Sequence, residues 1–203
     1  MPRALTALQK IPIPALRTLL PQVRACRICA HALPLGPRPV VQISRSATIL
    51  IAGQAPGSRV HETGIPFNDP SGKRLREWMG IDCDTFYDSK KIALLPMGFC
   101  YPGAGENGDL PPRVECAPAW REALLANLPE LQLTIVIGQY AQAYHLKTAK
   151  QSVTDAVRAW KTYWPVQIPL PHPSPRNQMW MKKNPWFARD VLPALRKRVR
   201  VLV

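Results

Sequence analysis

Four short apolar runs, separated by segments of helical character, restrict this chain's fold more than any other feature of its sequence. "ATILIAG" (47–53), "KIALLPM" (91–97), "LTIVIG" (133–138) and "WPVQIPLP" (164–171) each have the length and composition of a buried strand. Between them, "SGKRLREWMGI" places Leu75, Trp78 and Met79 on one face behind a Ser71 cap, and "APAWREALLANL" stops before Pro129. "QYAQAYHL" and "SVTDAVRAW" read as further helices. "NPWFARDVLPALRKRV" opens with Asn184 at a cap and Pro185 in the first turn, as suits a closing helix. Strands that alternate with helices predict a three-layer α/β/α fold around a central four-stranded, mostly parallel sheet. Residues 1–45 read as a Pro-interrupted helical arm and an irregular stretch. With 203 residues the chain is long enough for one domain with its own core, so a single domain over 1–203 is expected.

Parallel sheets bind ligands outside the carboxyl ends of their strands. Two conspicuous loops leave strands at that edge, "GQAPGS" after the first run and "HPSPRN" after the fourth. Proline fixes φ and restricts its predecessor, so Pro171, Pro173 and Pro175 leave the second loop few conformations. Such a loop holds an imidazole, a hydroxyl and a guanidinium in fixed relative positions. Charge points to the partner. Lys and Arg number 27 against 13 Asp and Glu, a net charge of +14, and the basic tail "RKRVRVLV" explains only part of the excess. Neutralising phosphates releases counterions, which makes nucleic acid the expected partner. No apolar run is long enough for a bilayer and no signal-peptide pattern opens the chain, so a cytoplasmic protein is expected, nucleoid-associated if bacterial. In that compartment the five cysteines, Cys26, Cys29, Cys83, Cys100 and Cys116, suit metal ligation or scattered buried thiols better than disulfides.

"ILIAGQAPGSRVHETGIPF" and "HPSPRN" together resemble the two signature motifs of the uracil-DNA glycosylase superfamily, a G-x-x-P-G turn after the first core strand and an H-P-S loop after the last. Cys26 and Cys29 form C-x-x-C, Gly53 lies 24 residues after Cys29, and Cys116 lies 16 after Cys100. That arrangement is similar to the iron–sulfur branches, the fourth and fifth families, while "HPSPRN" looks most like the single-strand-selective monofunctional type. The similarity runs over about residues 26–195. It implies a monomeric DNA glycosylase of base excision repair that acts on damaged single- or double-stranded DNA, with uracil as the leading base. It also implies a [4Fe–4S] cluster of structural role on Cys26, Cys29, Cys100 and Cys116, with Cys83 an ordinary thiol. By chemistry alone, four thiolates suit zinc as well as iron–sulfur.

A glycosylase must take its base out of the stack before it can reach the glycosidic bond. The resemblance makes Phe67, in "TGIPFNDPSG", the ring that stacks on the extruded base. It makes His172 the donor to the pyrimidine oxygen on which charge collects as C1′–N breaks; one such donor typically stabilises the transition state by about 2.7–4 kcal/mol. Gln54, Ala55 and Gly57 belong to the turn whose amides would add donors. Ser174 would donate to a phosphate, and Arg176 would enter the minor groove or meet the backbone beside the emptied position. Asn177 has no sharp role, and Met179 and Trp180 suit an apolar wedge or packing under the last helix. His31, His61 and His145 read as structural or surface residues.

The chain also departs from the pattern. The first family has Asp at the third position of the first motif, where Ala55 stands here, and the fourth usually has Glu where Gln54 stands. Asp69, in a segment like F-x-x-D-x-S-G of the fifth family, is the substitute catalytic acid, with Glu62 a weaker candidate. Pro96 occupies the place of the Asn whose amide reads the base in many relatives, and Gly57 replaces a Tyr barrier to thymine. A site that loses its reader of a polar edge loses up to about 10⁴ in discrimination. The expected alternatives are therefore a hypoxanthine or xanthine glycosylase, a catalytically silent binder of lesions or abasic sites, and more remotely a zinc-stabilised RNA-processing factor.

Overall fold

The apolar runs assemble because each is too hydrophobic to leave either face in water. In the computed structural model, which describes residues 14–106, 108–147 and 151–203, they become β1 (Ile49–Ala52), β2 (Ile92–Leu94), β5 (Leu133–Ile137) and β6 (Gln167–Leu170). These strands form one sheet in the order β2-β1-β5-β6. Every neighbouring pair is parallel, with Ile51 opposite Leu94 on one side and Ile135 on the other, and Ile135 opposite Ile168. All residues of β1, β2 and β5 are buried, the signature of a parallel sheet covered on both faces.

Strand alternation assigns the two layers. Ile49, Ile51, Leu94 and Ile135 point to one face, where they meet Leu75 and Met79 of α3 (Pro70–Met79) and Leu195 and Val199 of α9 (Leu192–Leu202). Leu50, Ala93 and Leu95 point to the other, against Leu19 and Val23 of α1 (Leu16–Arg24) and Leu124 of α5 (Cys116–Leu125). The expected α/β/α architecture is what forms, and its sheet is wholly parallel. α1 begins after Pro14 and runs on through Pro21 without a break; the first 13 residues of that arm lie outside the described residues. Among the described residues no helix is long and apolar enough to cross a membrane.

Two helix starts differ from expectation. The cap of α3 is Asp69, whose Oδ1 accepts the Gly72 N–H at 2.7 Å, and Ser71 lies buried inside the helix. Pro70 decides this, because its fixed φ suits the first helical position and leaves the preceding side chain to cap. At the closing helix, Asn184 does precede Pro185, but its side chain accepts from the Trp186 indole at 3.1 Å and donates to the Trp180 carbonyl at 2.9 Å. The first turns widen into a π-type stretch over Phe187–Val191 before α9 begins.

The remaining elements connect the strands. α2 (Ser58–Thr63) follows β1, α4 (Cys83–Tyr87) precedes β2, and α6 (Gly138–His145) follows β5 directly. α7 (Val153–Arg158) leads to β6, and α8 (Gln178–Lys183) follows the loop after it. After β2 the chain makes a small antiparallel hairpin, β3 (Ala104–Gly105) with β4 (Gly108–Asp109), that the sequence had not announced. The chain leaves β1 toward β2 and β5 toward β6, so strand order reverses between β1 and β5, and a crevice opens there.

Candidate active site and thiol cleft

The two stiff turns meet as the strand order requires. Gln54, Ala55 and Gly57 after β1, and His172, Ser174 and Arg176 after β6, line one cavity of about 340 Å³ together with Phe67, Asp69, Pro96 and Asp109. Gly53 and Gln54 are tied to the segment after β2 by main-chain bonds, Met97 N–H to Gly53 O and Gly98 N–H to Gln54 O, both 2.9 Å. Among the described residues, the N–H groups of Gln54, Ala55 and Gly57 have no backbone acceptor.

His172 is held from three sides. Its Nδ1 accepts the Ser174 N–H at 3.2 Å, and the Asn177 side chain donates to its carbonyl at 2.7 Å. Arg74 of α3 donates to the Ser174 carbonyl at 2.9 Å. With Nδ1 accepting, the neutral ring carries its proton on Nε2. Burial pushes the His172 pKa below the ordinary imidazole value, opposed by the nearby Asp69 and Asp109 carboxylates. A neutral N–H donor results. Asn177, for which the sequence suggested no role, staples the loop. The Ser174 Oγ accepts the Arg176 N–H at 3.2 Å, so this hydroxyl also shapes the turn.

Phe67 adopts φ +55, a left-handed conformation that is an outlier for a bulky residue and costs of order 1–3 kcal/mol. The surrounding contacts impose it. Its carbonyl lies where any side chain at Gly72 would go, with a Cβ there only 1.8 Å away. Its ring packs edge-on against Phe86, centroids 6.0 Å apart, and its Cζ stands 3.4 Å from where a Gly53 Cβ would be. Phe67 is therefore both a core contact and a wall of the cavity.

Asp69 lines the cavity, although its Oδ1 is committed to capping α3. Glu62 is exposed, and its carbonyl receives Arg38. Trp180 packs against Trp186 and Phe187 and donates to Thr154 Oγ1 at 2.8 Å, which settles it as a packing residue. Met179 beside it is 61% exposed.

Two residues that sequence reasoning passed over help to build the site. Asp109 reaches the cavity from the hairpin; an acid flanked by glycine in "ENGDLPP" was the available signal. Arg121 is fully buried in α5 and donates to the carbonyls of Leu95 at 3.1 Å and Pro96 at 2.9 Å. It also bonds His145 Nε2, and burial with this cation holds the His145 pKa down at about 3. His145 is thus a neutral structural acceptor, and Arg121 fixes the backbone of Pro96 at the cavity wall.

The four cysteines of the pattern form a second site. Cys26 and Cys29 follow α1, Cys100 follows β2, and Cys116 opens α5; all four line one tight cleft, while Cys83 is exposed elsewhere. None is disulfide-bonded. The Trp120 indole donates to Cys26 Sγ at 3.2 Å and the Phe99 N–H to Cys116 Sγ at 3.4 Å, so two donors already point at sulfur. Burial, reinforced by the neighbouring thiols, pushes Cys116 up to about 12 and Cys100 up to about 11. Thiols so placed become thiolates when a cation joins them. Among the described residues no three donor groups converge closely enough for a single ion. Four thiols on one cleft are a donor set that both zinc and an iron–sulfur cluster use.

Residues 40–196 match the model of the Uracil DNA glycosylase superfamily. A solution NMR structure of a "putative Uracil DNA glycosylase" from Methanosarcina acetivorans superposes with a TM-score of 0.44 at 14% identity, covering 77% of this chain and 93% of that one.

Proposed function

This chain belongs to the uracil DNA glycosylase superfamily, and from that premise we propose that it flips a deaminated base, uracil first, out of DNA and hydrolyses its N-glycosidic bond in base excision repair. Family membership supports a DNA glycosylase in general terms. The observation that carries the finer reading is that His172 and Phe67 open onto one cavity.

The proposed sequence uses this chain's own groups. The extruded base lies against the Phe67 ring. As the C1′–N bond stretches, its electron pair moves onto the base, and negative charge gathers on the carbonyl oxygen between the two ring nitrogens. The Nε2–H of neutral His172 and the amides of the Gln54–Gly57 turn donate to that oxygen. They are arranged before the charge appears, so they favour the transition state over the ground state. Arg176 and Ser174 hold the phosphates beside the emptied position. Cys26, Cys29, Cys100 and Cys116 would hold a [4Fe–4S] cluster, which when bound ties the arm to α5 and supplies no step of hydrolysis.

Pro96 lines the cavity without a side-chain amide, which favours a second reading, broadened to hypoxanthine or xanthine. One panel tests both. Oligonucleotides carrying uracil, hypoxanthine or xanthine, single- and double-stranded, are incubated with the protein and cleaved with alkali. Strand scission at uracil supports the first reading, and scission at a purine lesion above uracil supports the second. Tight binding without scission at any base would assign the fold to a silent lesion binder.

A further inference from the structure

The turn after β1 carries no acid, and one oxygen of the Asp69 carboxylate caps the start of α3, yet hydrolysis needs a group to orient and deprotonate water. The hairpin supplies a candidate. Asp109, like Arg176, lines both the cavity and the shallower depression beside it. A Cβ placed at Gly57 would lie 3.5 Å from Asp109 Oδ2, which sets this oxygen directly in front of the turn. The Gln54 amide reaches the Leu110 carbonyl at 3.5 Å and joins the hairpin's exit to the same turn. Asp109 takes part in neither of the two ion pairs among the described residues, Arg113–Glu115 and Arg189–Asp190.

Position along the cavity distinguishes the two acids. A flipped base occupies the interior, against Phe67, while its sugar stays attached to the strand and remains at the mouth. The carbon under attack is therefore at the rim. Asp109 is exposed at that rim.

Resting on the hydrolytic reading above, we infer that Asp109 is a catalytic residue whose carboxylate holds the attacking water and accepts its proton. The water oxygen bonds to C1′ as C1′–N breaks. The bonding pair leaves with the base, whose charge His172 stabilises, and the water proton passes to Asp109 and on to solvent. Although the residue is exposed overall, partial desolvation at the rim raises the Asp109 carboxyl above its ordinary value and strengthens it as a base, with Asp69 adding to the rise and Arg176 and His172 opposing it. Arg59 of α2 is the other cation lining the cavity.

The test compares single-turnover excision and DNA affinity for wild type, D109N and D69N. D109N is expected to slow excision about a hundredfold or more, the scale of general-base catalysis, with affinity within a few-fold of wild type. Because the ionised carboxylate is the active form, the wild-type rate should fall as pH drops through the Asp109 pKa, and D109N should lose that limb. D69N should keep more activity. D109N excising at the wild-type rate, or retaining the acid limb, or losing affinity in place of rate, overturns the assignment while the glycosylase reading stands. Wild type that excises none of the three bases overturns both.

Discussion

The cavity and the thiol cleft are built from the same kind of sequence signal, short motifs on loops, yet they are physically opposite. The cavity is open, about 340 Å³, and lined by polar and charged side chains that include His172, Asp69, Asp109 and Arg176. The cleft is tight, its thiols are raised by burial, and two of its sulfurs already receive N–H donors. On the proposed reading, one would take a visitor that leaves and the other would hold a group that stays. Changes in the cleft should therefore appear as lost stability, and changes in the cavity as lost rate in an intact fold.

The largest expected effect breaks the cleft. Cys116→Ser should abolish the brown colour and broad absorption near 400 nm expected of a bound cluster. If losing this tie costs roughly 4 kcal/mol, the scale of a native covalent staple, Tm should fall by about 8–16 °C for a chain of this size. Colourless wild-type protein with stoichiometric zinc by metal analysis would remove the cluster from the comparison. Next comes the cavity. His172→Ala should lower the excision rate by about 10²–10³, the cost of one preorganised donor, while absorption, Tm and DNA affinity stay close to wild type. A large loss of affinity at unchanged turnover would move His172 from chemistry to binding. The smallest effect sharpens the boundary between the two behaviours. Asn177→Ala removes one hydrogen bond to the His172 carbonyl, worth about 1 kcal/mol, and should slow excision by roughly fivefold with little change in Tm. A Tm loss as large as that of Cys116→Ser would show that the loop, too, holds the fold together.

Much of this was readable from residues in order. The four apolar runs dictated a covered sheet because no other arrangement hides both their faces, and Gly53–Gly57 and His172–Arg176 followed strands that had to share an edge. The Ser71 cap misread the α3 start, since Pro70 at the first helical position hands the cap to Asp69, and that assignment in turn engages the acid chosen for water. Asp109 and Arg121 were not legible as site residues. One is brought in by a hairpin too short to leave a periodic signal, and the other looks like an ordinary surface arginine on an amphipathic helix.

By itself the sequence determined the layers, the two turns and the four thiols, because these rest on local stiffness, hydrophobic pattern and fixed spacing. Only the tertiary structure decided that Asp109 comes to the cavity beside Asp69, which cation is buried beneath Pro96, and that the four cysteines line one cleft. Those depend on distances between segments remote in the chain, and packing alone sets such distances.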